Sequence, residues 1–269
     1  MKLWAWGEDG KSEDENSKEK EVTLVARMRW GAVVVLACAA VLYARDKKDK
    51  PKPASSEIDS GSFGVFVKGQ RVLTETFSVK QENDISTVKS QLKEIGGSSS
   101  SGQKSELEMT GSAELLKYEW SDGNSSLVVT PNNDFLLEKI TPSAGAKPAE
   151  QPFLMPSTSA ILDNNFFVHR EVLAWRYLKT NCSSESGELR CRKDPGEYGV
   201  LVPQDRTSMR VRLELVGREK VNIRGTEREL LRLDLKGEEF TWALWVDDKD
   251  QFKLMRVLIP DDNTEVVRD

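Results

Sequence analysis

One histidine and three cysteines in 269 residues leave this chain short of the side chains that most catalytic and metal sites draw on. No Gly-x-Ser-x-Gly nucleophile elbow occurs anywhere in it. Cys182 and Cys191 stand close together, but nothing nearby supplies the two further ligands of a metal site. A concentrated basic face is missing too. The net charge is −5 and the two signs are mixed along most of the chain, which argues against nucleic acid as a partner. The glycine-serine run from Gly96 to Gly102 lacks the lysine and following Ser/Thr of a phosphate loop. The acidic cluster Asp247-Asp248-Lys249-Asp250 lacks the spaced oxygen ligands and glycine of a calcium loop, and reads as a hairpin turn. No metal and no cofactor is expected.

Long apolar runs are equally rare. The single uncharged one is Trp30–Ala44, flanked by Arg27, Arg29 and Arg45. It is slightly short for a membrane span, but counting from Leu24 gives enough length if the two arginines snorkel to the headgroups. Trp30 and Tyr43 sit where interfacial aromatics anchor such a helix. A single uncleaved signal anchor is the expected reading, because a charged tail precedes it. A cleaved signal peptide would exit at the poor site Leu42-Tyr43-Ala44. A lipoprotein cleavage before Cys38 is contradicted by apolar sequence continuing past it, and a buried soluble helix is the plainest alternative.

Basic residues flank the span on both sides, with a faint lean toward a cytoplasmic C-terminal domain. Against that lean, Cys182 and Cys191 bracket a small polar loop, as a disulfide does in an oxidising compartment. The expected placement is therefore single-pass in a bacterial inner membrane, with the C-terminal domain in the periplasm or outside the cell. Residues 1–29 read as a disordered charged tail, 30–44 as the anchor and 45–60 as a charged, proline-containing linker.

From residue 61 the pattern becomes that of strands. SFGVFVKGQRVLTETFSV makes a hairpin around Lys68-Gly69-Gln70, and Ser121-Asp122-Gly123-Asn124 marks another. Met209, Val211, Leu213 and Leu215 alternate inward along one late strand. Residues 60–143 and 196–269 read as two meanders of one sheet, with 144–195 as an insert whose helix runs roughly from Ser159 to Thr180. The expected fold is mainly β with a helical insert: ten to twelve strands in a large curved antiparallel sheet or half-barrel, covered by that helix.

On a helical wheel Phe166, Leu173 and Tyr177 form one stripe, and Val168, Val172 and Trp175 form a second beside it. His169 and Arg176 lie on one line between the two, and Glu171 falls on a different side. Catalysis by His169 would need a nucleophile or an orienting carboxylate, and neither is evident. Three roles stay open for it: packing with hydrogen bonding, ligand contact, and catalysis.

The opening hairpin, the insert LDNNFFVHREVLAWRYL and the closing GREKVNIRGTERELLRLDLKGEEFTWALWVDDKDQFKLMRVLIP together resemble bacterial envelope domains of unknown function. Phe63, Gly69, Val72 and Phe77 carry the opening pattern, and Trp245, Asp247, Leu254 and Arg256 the closing one. More loosely the chain is similar to the lipoprotein-carrier fold, a half-barrel around a hydrophobic hollow. The resemblance implies a fold and brings no catalytic residue.

Two functions follow as expectations. In the first, the domain binds a lipid or other hydrophobic ligand in a hollow lined by Phe166, Phe167, His169, Leu173, Trp175, Arg176, Tyr177, Trp242 and Leu244. In the second, a filled domain acts as a non-catalytic scaffold or interaction subunit of an envelope complex. The membrane is a partner in both.

Overall fold

A computed structural model describes residues 55–96, 102–185 and 188–269. The expected tail, anchor and first part of the linker lie outside the described residues. No helix among the described residues is long and apolar enough to cross a membrane.

The chain opens with an antiparallel meander of eight strands. These are β1 (Ser55–Val67), β2 (Gln70–Glu82), β3 (Ile85–Glu94), β4 (Lys104–Thr110), β5 (Leu115–Ser121), β6 (Ser126–Asn132), β7 (Phe135–Thr141) and β8 (Ala149–Phe153). The insert follows, with β9 (Ala160–Ile161), the helix α1 (Val168–Asn181), and a ribbon of β10 (Cys182–Glu185) and β11 (Glu188–Cys191). A second meander closes the chain: β12 (Gly196–Val202), β13 (Thr207–Ile223), β14 (Thr226–Lys236), β15 (Thr241–Asp247), β16 (Lys253–Ile259) and β17 (Thr264–Arg268). All but the ribbon form one fifteen-stranded sheet, in which β17 pairs with β1 and so joins the two meanders at the middle.

Local chemistry fixes the register. Lys68 and Gly69 both have positive φ, at 51° and 80°, and so do Arg224 and Gly225, at 52° and 85°. Two such residues in succession make the tight turn whose twist matches that of the strands it joins. On β2, Phe77 and Val79 point inward and Thr76 and Lys80 outward, the alternation of a sheet with one buried face. On β13, Val211 and Leu213 are fully buried inside, and Met209 and Leu215 are half-buried beside them. The register then slips at Gly217, whose φ of 151° suits glycine, and the strand changes face. Val221 and Ile223 beyond the bulge pack with Leu230, Trp245 and Met255 in a second, smaller apolar cluster. Trp245 of the closing pattern belongs to that cluster, with its indole N–H donating to Glu219 Oε2 at 3.0 Å.

The sheet curls strongly. Gln204, just after β12, donates to the Tyr118 hydroxyl on β5 at 3.3 Å. These strands are ten places apart in the sheet, which in a flat sheet would mean about 48 Å. The two edge strands, β8 and β9, are joined by residues 154–159 alone. A link of that length reaches at most about 25 Å, so the edges are drawn toward each other around α1.

Three expectations change. The first strand begins at Ser55, so residues 55–60 are sheet and not linker. There are more strands than the ten to twelve expected. The helix begins at Val168, and residues 159–167 contain β9 and a turn, because the Asp163 carboxylate accepts the Asn165 and Phe166 N–H groups and diverts the chain. Cys182 and Cys191 are disulfide-bonded and face each other across the β10–β11 ribbon.

Leu173 lies on α1, 2 % exposed and within the main core. Leu173→Ala is expected to cost about 2–5 kcal/mol, read as a lower urea midpoint with unchanged m-value.

Candidate functional site

The helix that fills the sheet is held by charge as well as by apolar contact. A helix start leaves N–H groups without partners, and short polar side chains at the cap position usually satisfy them. Here the cap residue is Phe167, which supplies no side-chain acceptor. Glu75 of β2 takes that place from across the interior. Its Oε2 accepts the Phe167 N–H at 2.6 Å, and its Oε1 accepts the Val168 N–H at 3.2 Å and the Ser90 hydroxyl at 2.7 Å. Glu75 is fully buried, and this burial outweighs the hydrogen bonds and the nearby Arg170 charge, pushing its carboxyl up to about 7.

Arg170 is buried in the first turn of the helix. Its guanidinium donates to the carbonyls of Asp163 and Phe166 at 2.6 and 2.8 Å, and lies over the rings of Phe167 and Trp242 at 4.6 and 4.8 Å. Burial lowers it to about 10, which leaves it cationic at neutral pH. Asp163 completes this end, accepting the Tyr118 hydroxyl and the Gln204 amide on Oδ2.

Glu171 faces the other way and is also fully buried. Its Oε1 accepts the Leu254 N–H at 2.7 Å and Arg268 Nη1 at 3.1 Å. Arg268 in turn reaches both oxygens of Asp59, at 2.7 and 2.6 Å. One guanidinium thus links the first strand, the last strand and the helix. Burial first, then the neighbouring Asp59 carboxyl, push Glu171 up to about 8 against the opposing pull of Arg268.

His169 is 1 % exposed, and neither ring nitrogen has a hydrogen-bond partner among the described residues. Its ring meets Tyr118 edge-on at 5.6 Å. Burial, with a smaller contribution from Arg170, lowers it to about 4, so it is neutral at pH 7. It borders a cavity with Ser159, Leu173 and Arg176, in which the space open to water centres is about 20 Å³. That is room for one water.

The structure gathers the nine expected ligand residues around α1. Phe166, Phe167, Leu173, Tyr177 and Leu244 are buried with His169, and Trp175, Arg176 and Trp242 are half-buried. Most are engaged already: the Tyr177 hydroxyl accepts the Leu215 N–H at 3.0 Å, and the Trp175 indole N–H donates to the Phe252 carbonyl at 2.9 Å. No cluster of three or more His, Cys, Asp or Glu side chains among the described residues is placed to hold a metal. The acidic turn at 247–250 is tied to cations, with Asp248 on Arg218 at 2.5 Å and Asp247 on Arg228 at 3.6 Å. No protein-family model, curated protein or solved structure matches the chain.

Sequence reasoning missed Glu75, Asp163, Arg170, Glu171 and Arg268. The available signal was Glu75 itself, a charge at an inward position between Leu73 and Phe77.

Two outcomes follow from these environments. The Glu75 carboxyl binds its proton more tightly in the folded protein, at about 7 against an ordinary 4.5. Its contribution is therefore full below pH 4.5 and is lost as pH rises through 7. Chemical denaturation across that window should show the wild type losing about 3 kcal/mol relative to Glu75→Gln. His169 has the opposite sign. With its proton held less tightly when folded, its ring resonance should titrate near 4 in the native protein and not near 6.5.

Proposed function

We propose that this protein is a membrane-anchored envelope component whose β domain is a filled, non-catalytic interaction subunit. In this reading residues 30–44 anchor it in a bacterial inner membrane, and the domain works outside the cytoplasm as a half-barrel closed by its own helix. The filled interior carries the proposal. Where a carrier of the lipoprotein-carrier kind would keep a hollow, α1 packs against both meanders, and the cavity beside it has room for one water. Lipid-sized pockets run to hundreds of Å³. His169, buried and neutral with no nucleophile bonded to it, suits the packing role among the three left open by the sequence.

A second reading keeps the hydrophobic ligand. It rests on the ionisable groups at the helix–sheet boundary: Glu75, His169, Arg170 and Glu171 would all regain water if α1 withdrew. A ligand entering as the helix left would then meet Phe166, Leu173, Tyr177 and Leu244.

Native mass spectrometry of the full chain taken from membranes, paired with hydrogen exchange, separates the two. The interaction subunit is expected bare, with α1 amides among the slowest to exchange. A stoichiometric lipid adduct, with fast exchange confined to α1, would overturn it in favour of the carrier.

A further inference from the structure

An open groove of about 590 Å³ lies between the link 154–159 and strands β12 and β13, within the size range of small-molecule sites. Arg176 and Ser159 border both this groove and the small cavity beside His169. The groove is therefore outside the helix–sheet interior but shares a wall with it.

Arg176 is one of two arginines at the groove. Arg71, Arg218, Arg232, Arg256 and Arg268 each have a carboxylate partner, at 2.6, 2.5, 2.8, 2.6 and 2.6 Å. The half-buried Arg176 has none among the described residues. Its guanidinium lies over the Tyr198 ring at 5.2 Å, and burial lowers its affinity for its proton. A partly desolvated cation without an anion is costly, and a planar fork of donors matches a carboxylate. Of the two acids at the groove, Glu197 is taken by Arg212 at 2.9 Å. That leaves Arg176 and Arg210 facing Glu238, one positive charge in excess. The remaining wall is mixed, with Thr158, Ser159 and Ser208 beside an apolar strip of Leu154, Met155 and Met209. Met155 is nearly buried, Met209 is half-buried, and Leu154 is 90 % exposed, an exposure far beyond that of any other large apolar side chain described.

We propose that this groove binds a small monocarboxylate with a short apolar tail. The carboxylate sits on the Arg176 guanidinium, and the tail lies along Leu154, Met155 and Met209. Charge complementarity selects an anion, and the thioether and aliphatic surfaces favour its hydrocarbon over a purely hydrophilic acid. Because Arg176 belongs to α1, the site exists with the helix docked and so rests on the closed arrangement proposed above.

The test is calorimetric titration of the full chain, held in zwitterionic nanodiscs, with hexanoate, 1-hexanol and hexylammonium, using empty discs as the blank. Hexanoate is expected to bind saturably, with the alcohol and the amine weaker by about tenfold or more, as loss of a charge-assisted contact implies. Arg176→Gln should weaken hexanoate to a similar degree. Leu154→Asp, at a side chain too exposed to matter for folding, should weaken it as well. The absence of saturable hexanoate binding, equal binding of 1-hexanol, or undiminished binding by both variants would each overturn the proposal.

Discussion

The Glu75 carboxylate, buried beneath the first turn of α1, is the contact on which the arrangement of the domain depends. The chain places Phe167 where a helix cap should be, so the leading N–H groups of α1 must find an acceptor elsewhere. They find it on β2, 92 residues earlier in the sequence. An anion at a helix N-terminus is favoured by the helix dipole, yet enclosing a carboxylate in apolar surroundings is unfavourable. Burial raises its carboxyl to about 7, against the hydrogen bonds from Ser90, Phe167 and Val168 and the Arg170 charge. Because both oxygens are used, the helix cannot slide along the sheet or rotate without leaving a buried donor unpaired.

A second anchor ties the helix to other strands. Glu171 ties the helix to Leu254 of β16 and, through Arg268, to Asp59 of β1. One acid therefore comes from the sheet to the helix, and one goes from the helix to the sheet. Apolar packing supplies most of the burial, but it is tolerant of small displacements. The two carboxylates set the position, since a misplaced polar contact in a low-dielectric interior costs more than a misplaced methyl group. Their cost in desolvation is the reason that the stability of this domain should depend on pH near neutrality.

Much of the sheet was legible from residue patterns. Period-two alternation places Val211 and Leu213 on the buried face, with Met209 and Leu215 half-buried beside them, and the Lys68-Gly69 turn and the Cys182–Cys191 pair sit where spacing suggests. The helix start was misplaced because the competing hydrogen bonds of the Asp163 turn are invisible to a count of apolar residues. The helical wheel set Glu171 apart from the apolar stripes, since a wheel assumes one dry side and one wet side. A helix enclosed by a curled sheet is buried on most of its circumference, so Arg170 and Glu171 are as deep as Leu173. Long-range polar pairs such as Glu75 with Phe167 or Arg268 with Asp59 carry no local signature. Only the inward charge on β2 hinted that a partner would have to come from elsewhere.

The link 154–159 shows how edge protection and a surface site come from the same geometry. An open sheet has two edges with unpaired backbone groups, which are aggregation-prone unless shortened, covered or interrupted. Here one edge strand, β8, contains Pro152, and the other, β9, is two residues long. β9 pairs only with Val200 and Leu201, so the earlier half of β12 has no neighbour on that side. The link turns away after Phe153 and crosses beside Gly199, leaving Ser159 and Met155 close to it. A longer β9 would have paired that edge and filled the space between. A shorter link could not have reached across the gap between the edges. The groove with Arg176 on its wall is what remains once a short edge strand and a tight connection have both been satisfied.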